Sequence, residues 1–175
     1  MTEERKNRLI WGGMLLIGAL GCASLRNNPA LGISPLAVGV IEALIFACII
    51  TAVRIVDWRM AAVIALVTPI YMWMQRFLDG YMIPVEMLMN AMLISSMGLN
   101  LKKNWSYGVS VAVLTLPTFA VMLTASAMAI WLVKDASIMR ALIIAWNTDV
   151  YSGLSLLGAA LVCAPRKKDI KREAC

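Results

Sequence analysis

The fold is decided by residues 36–53, which read LAVGVIEALIFACIITAV. Glu42 is the one charged side chain in these 18 residues. A helix crosses the hydrocarbon core of a bilayer when about 20 mainly apolar residues follow one another, with a range of about 17–25. The stretch therefore predicts a transmembrane helix, and it raises the question of how many more the chain contains.

The composition of the whole chain is that of a membrane protein. Of its 175 residues, 61% are apolar and 15% are charged, and the mean hydropathy is +0.79. Soluble domains have about 45–50% apolar and about 25% charged residues. The length suits a single membrane domain over residues 1–175. The chain has no histidine, and its four cysteines have no CxxC spacing, so we expect no metal site, no cofactor and no disulfide framework.

Six stretches are long and apolar enough to be membrane spans. Their approximate bounds are 9–25, 36–53, 60–75, 82–101, 107–133 and 138–164. Two of the breaks between them, at residues 26–35 and 76–84, carry Gly and Pro together with Asn or Asp, as turns do. The sequence thus predicts an all-α bundle of six transmembrane helices.

The basic residues orient this bundle. Of the 16 Lys and Arg residues, 12 fall on one side of the six spans, in the N-terminal segment, the second and fourth connections and the C-terminal tail. The positive-inside rule then places both termini in the cytoplasm of a bacterial cell. The positive-inside rule accounts for the net charge of +6. We therefore expect the chain to contact lipid and not to bind nucleic acid. A cleaved signal peptide ending before Cys22 is the alternative, but Ala19 stands where a lipobox prefers Leu, and cleavage would leave five spans.

The polar residues of three spans fall in the outer half of the predicted bundle. At 1.5 Å per residue, Glu42 lies roughly 9 Å below the outer end of its span, and Asn147 and Asp149 lie roughly 14–17 Å deep. Glu86 is about one turn into the fourth span, and Asn90 follows it on the same face. Carboxylates inside a membrane usually face a bundle interior or a water-filled cavity. One cavity that opens outward and closes near the midplane would accommodate all five side chains.

Two aromatic residues are candidates for contact with a ligand in that cavity. Trp146 lies too deep for an interfacial aromatic belt, and its indole N–H needs a partner. Tyr71 belongs to the third span and falls in the outer half.

The polar residues also have alternative roles. Asn147 and Asp149 could form an interhelical hydrogen bond. Glu42 could pair with Arg140 or a neighbouring backbone group, and Glu86 could be hydrated near the interface or paired with Arg76.

Two segments carry a resemblance to a known family. They are residues 61–74, AAVIALVTPIYMWM, and residues 80–99, GYMIPVEMLMNAMLISSMGL. They resemble the substrate-binding (S) components of energy-coupling factor vitamin transporters, which have a Pro-containing third helix followed by a Pro and a Glu that open the fourth. The first helix of the family often carries an AxxxA motif for docking, and Ala19 and Ala23 have that spacing.

The resemblance implies a fold and a mechanism. The chain would be a six-helix S component with cytoplasmic termini that binds a vitamin-like solute from outside. It would then join a membrane coupling subunit and two cytoplasmic ATPases and topple to release the solute inside. The implied substrate-binding residues are Glu42, Tyr71, Glu86, Asn90, Trp146, Asn147 and Asp149. The three acids favour a cationic or donor-rich solute, and the chain has no G-x-x-x-x-G-K-[ST] loop of its own for ATP.

Other functions fit the same pattern. A non-transporting scaffold of the cell-envelope machinery would use the polar residues for packing alone. Another kind of transporter could use Asp149 to carry a proton, although no inverted repeat is visible. We expect no enzymatic activity, because no nucleophile and base occur together.

Overall fold

The computed structural model describes residues 3–25, 34–76, 78–103 and 105–165. Within these ranges the chain forms six α-helices and no strand. The helices are α1 (Glu3–Leu25), α2 (Pro35–Thr51), α3 (Trp58–Met74), α4 (Ile83–Lys103), α5 (Tyr107–Lys134) and α6 (Ile138–Cys163). A π-helical turn, Ala52–Val56, extends α2, and a 3-10 turn, Gly80–Met82, precedes α4. The all-helical prediction is confirmed, and the main difference is that α1 begins six residues before the predicted span.

Four helical segments are long and apolar enough to cross a membrane. They are Glu3–Leu25, Leu36–Val56, Gly80–Lys103 and Tyr107–Lys134. Helices α3 and α6 are not among these four segments. Helix α3 is too short, with 17 residues, and the polar residues 146–149 lower the mean hydropathy of α6. Four such segments indicate a membrane protein.

The surface of the bundle supports this conclusion. Large apolar side chains stand out from several helices, among them Ile17 at 73%, Leu36 at 78%, Leu116 at 68% and Val162 at 83% exposure. Soluble monomers rarely expose such extensive apolar surface. These side chains have the exposure expected of residues that contact lipid tails.

The helices form a closed ring. Going around it, α1 packs on α2, α2 on α6, α6 on α5, α5 on α4, α4 on α3, and α3 returns to α1. Helices α2 and α4 also touch across the middle, whereas α2 and α3 make few direct contacts. The contact between α2 and α4 divides the ring, with α1 and α3 on one side and α5 and α6 on the other.

Fully buried aliphatic side chains fill most of the centre of the bundle. Ile49, Ile64, Leu93, Leu114 and Leu156, each from a different helix, have no exposed surface. Among the described residues, buried polar side chains interrupt this packing where α2, α3, α4 and α6 meet and also between α5 and α6.

Candidate functional site

A small polar cavity lies between α2, α3, α4 and α6. Glu42, Glu86 and Asn90, which the sequence predicted to share one cavity, all line it. Its remaining wall combines hydroxyl groups with apolar side chains. The other lining residues are Ile45, Phe46, Thr68, Pro69, Met72, Met89 and Ser152.

Glu42 joins α2 to α6 through this cavity. The hydroxyl of Ser152 donates a hydrogen bond of 2.8 Å to Oε2 of Glu42. The side chain of Glu42 is half-buried, so its charge lies within the bundle. Ser152 was not singled out from the sequence, although it lies three residues after Asp149 and so on a neighbouring part of the same helix face.

Asn90 makes a hydrogen bond to a backbone carbonyl that a proline in α3 leaves without its helical donor. Pro69 has no N–H, so the carbonyl of Ala65, four residues earlier, lacks its helical donor. The side-chain Nδ2 of Asn90 donates to that carbonyl at 3.1 Å. Asn90 is 3% exposed, and its amide thus joins α4 to α3 beside Pro69 at the wall of the cavity.

The cavity is narrow and acidic. Its volume is about 20 Å³, which is enough for one or two water molecules. Glu86 lies in the first turn of α4, where a carboxylate is favoured by the helix dipole, and it is half-buried. Two carboxylates and two hydroxyl-bearing residues border the space, so its polar lining is rich in hydrogen-bond acceptors.

Asp149 occupies a second polar position, between α6 and α5. It is 7% exposed, and its Oδ1 accepts a hydrogen bond of 3.2 Å from the hydroxyl of Thr148. Its carboxylate also interacts with the Ser126 side chain of α5 and, unfavourably, with the charge of Glu42. Within the described residues, Oδ2 of Asp149 and the hydroxyls of Ser126 and Thr118 are buried without a hydrogen bond of normal geometry. Asp149 is thus buried within the bundle, but it does not line the cavity with Glu42, Glu86 and Asn90.

Three further predicted ligand residues lie outside the cavity. Trp146 is 52% exposed and packs edge-to-face on Phe119, with ring centroids 6.0 Å apart. Asn147 is exposed beside it. The hydroxyl of Tyr71 lies 2.7 Å from that of Ser24 and so joins α3 to α1. None of the three is among the residues that line the cavity between Glu42 and Glu86.

The predicted docking pair is also inside the bundle. Ala19 and Ala23 have no exposed surface and belong to the central core, where α1 packs on α2 and α3. Their small side chains let α1 approach its neighbours closely. A partner could contact them only if α1 moved away from those neighbours.

The described residues contain no group of three or more Cys, Asp and Glu side chains placed to hold a metal ion. In comparisons with known proteins, no family model, no curated protein and no solved structure matches this chain.

Proposed function

We propose that the chain is a membrane-embedded solute-binding subunit that captures a small cationic or donor-rich solute. The observation that carries this proposal is the acidic cavity, in which Glu42 and Glu86 come from different helices and face the same space. Ionisable side chains inside a membrane usually face a bundle interior or a water-filled cavity, and they mark binding sites and ion pathways. A cation bound between Glu42 and Glu86 would be attracted by both carboxylates.

The lining suits an organic cation better than a metal ion. Phe46, Met72 and Met89 provide apolar surface beside the carboxylates, and thioether side chains adapt their shape readily. Asn90, Thr68 and Ser152 add groups that can orient a polar ligand. Such a mixture of apolar walls and a few polar groups is common in small-molecule sites.

Binding a vitamin-sized solute requires the cavity to widen. Small-molecule pockets are about 300–1,000 Å³, far above the present 20 Å³. We propose that α3 moves outward, because it makes few direct contacts with the Pro35–Thr51 part of α2 and because Pro69 removes one hydrogen bond of the helix. The side chains of Met72 and Met89 would then turn aside.

We further propose six membrane crossings with both termini in the cytoplasm. Helix α3 is about 25 Å long and α6 about 39 Å, so α3 would cross with slight local thinning and α6 with a tilt. Glu86 in the first turn of α4 and Glu42 two turns into α2 then lie in the outer half of a bacterial cell membrane. This arrangement is that of an S component, which would deliver its vitamin-like solute with a membrane coupling subunit and cytoplasmic ATPases. Docking through Ala19 and Ala23 would require α1 to separate from the bundle.

Native mass spectrometry of the gently purified protein tests the proposal. The protein is incubated with a panel of vitamins and amines, and retained adducts are recorded. We expect a cationic or donor-rich adduct that the variant Glu42→Gln/Glu86→Gln loses. The control Asp79→Asn/Asp135→Asn removes two exposed carboxylates and should keep the adduct.

A scaffold without a ligand is the second candidate, and one observation favours it. The cavity is water-sized, and Ser152 and Asn90 already make internal hydrogen bonds that join helices. In that case no panel member would be retained by the wild-type protein. The Glu42→Gln/Glu86→Gln variant would then change only the stability of the bundle.

A further inference from the structure

A second recess lies at the opposite end of α2 from the acidic cavity. It is a groove of about 420 Å³ between the start of α1 and the junction of α2 with α3. Only Asp57 separates the π-helical turn from α3, so the two helices meet closely there. The groove shares no lining residue with the acidic cavity.

The groove combines cationic side chains with apolar walls. Arg5, Arg8 and Arg59 contribute three guanidinium groups, and Asp57 contributes one carboxylate. Leu9, Met60 and Val63 are among its apolar lining residues. The lining therefore carries a net positive charge beside a surface that suits a hydrocarbon chain.

Two of the arginines that line the groove are exposed. Nη2 of Arg8 bonds Oε1 of Glu4 at 2.7 Å, but 56% of the Arg8 side chain remains exposed. The guanidinium of Arg59 lies 5.7 Å from the centre of the Trp58 ring, and Arg59 itself is exposed. Guanidinium groups bind phosphate through two parallel hydrogen bonds, which favours arginine at phosphate sites.

We propose that this groove binds an anionic glycerophospholipid. The lipid phosphate would lie between Arg8 and Arg59, and an acyl chain would follow Leu9 and Val63 along the outside of the bundle. The carboxylate of Asp57 would accept a hydrogen bond from a hydroxyl of the headgroup. A free phosphate would use the arginines but leave the apolar wall uncovered, so the charge and the apolar wall together point to a lipid. Basic pockets beside membrane helices bind such headgroups in general.

The test measures lipid retention by the full-length protein in mild detergent with native mass spectrometry. The probes are dioleoyl phosphatidylglycerol and dioleoyl phosphatidylcholine, which share their acyl chains and differ in headgroup charge. At about a fivefold effect per lost arginine contact, Arg8→Ala/Arg59→Ala should weaken phosphatidylglycerol binding by about 30-fold. The control Lys134→Ala/Arg140→Ala removes two positive charges at the other end of the bundle and should bind normally.

Two further arms keep the test decisive. If the alanine variant does not fold, Arg8→Lys/Arg59→Lys keeps the charge and should still bind several-fold more weakly, because lysine lacks the paired donors. Millimolar inorganic phosphate should not displace the lipid. The proposal is overturned if phosphatidylglycerol binds no better than phosphatidylcholine, if both double-alanine variants lose binding equally, or if phosphate alone displaces the lipid.

Discussion

The hydrogen bond from Asn90 should stabilise the protein only because α3 contains Pro69. The proline leaves the Ala65 carbonyl without a helical donor, and Nδ2 of Asn90 supplies one at 3.1 Å. Since Asn90 is 3% exposed, a leucine of similar volume would leave that carbonyl unsatisfied among apolar groups. We expect Asn90→Leu to lower the free energy of unfolding by about 1–2 kcal/mol, from the lost bond and the stranded carbonyl together.

The cause can be isolated by repeating the substitution in a Pro69→Ala protein. There the N–H of residue 69 donates to Ala65 along the helix, so Asn90→Leu should cost much less. The double-mutant cycle should give a coupling of about 1 kcal/mol. Unfolding in mixed detergent micelles, followed by circular dichroism, measures it, and the exposed Asn147→Leu serves as a near-neutral control. Equal losses in both backgrounds would refute the reasoning.

Two further predictions concern α6. Gly153→Ala should destabilise the bundle by about 1–3 kcal/mol, because the new Cβ would lie 2.6 Å from the Phe119 ring. The control Gly158→Ala should be neutral in the same unfolding assay, because the new Cβ would have no neighbour within 4 Å. A neutral effect of Gly153→Ala would show that α5 and α6 can separate freely. Asp149→Asn should raise the melting temperature, because it removes a buried charge while keeping the acceptor for Thr148; a large fall would mean that the charge itself is needed.

The helices were predictable because their signal is length and hydrophobicity. The depth of a polar residue along its helix was predictable for the same reason, since each residue adds a fixed rise. Glu86 and Asn90 were expected on one face four residues apart, and both line the cavity. Depth and spacing together thus located three of the lining residues.

Which way a helix faces was not predictable. Trp146, Asn147 and Asp149 lie at similar depth, yet only Asp149 is buried. In a membrane helix the lipid-facing side and the core-facing side are both apolar, so the sequence carries little rotational signal. For the polar residues of α6, the sequence therefore predicted the position along the helix but not the side of the helix on which each residue lies.

Which helices pack against one another was also not predictable from the sequence. The spacing of Ala19 and Ala23 indicates a close helix contact, but it fits a neighbour within the chain as well as a partner protein. The bond between Asn90 and Ala65 required knowledge that α3 and α4 pack together at Pro69. In both cases the sequence shows that a residue can make a close contact or a hydrogen bond, but it does not show which helix or protein supplies the other side.

The proposal that an acidic cavity opens to receive cations can be tested directly by thiol labelling. Met89 lines the cavity and is 2% exposed, and Leu93, one turn further along α4, is fully buried away from it. Each is replaced by cysteine in a chain whose four native cysteines are changed to alanine. A small ammonium-bearing thiosulfonate and its sulfonate analogue are then applied, and mass spectrometry follows the rates. We predict that Met89→Cys reacts faster with the cation than with the anion, that Glu42→Gln/Glu86→Gln removes this preference, and that Leu93→Cys stays unmodified. Equal rates for the two reagents, or a Met89→Cys variant as inert as Leu93→Cys, would contradict a cation-binding cavity.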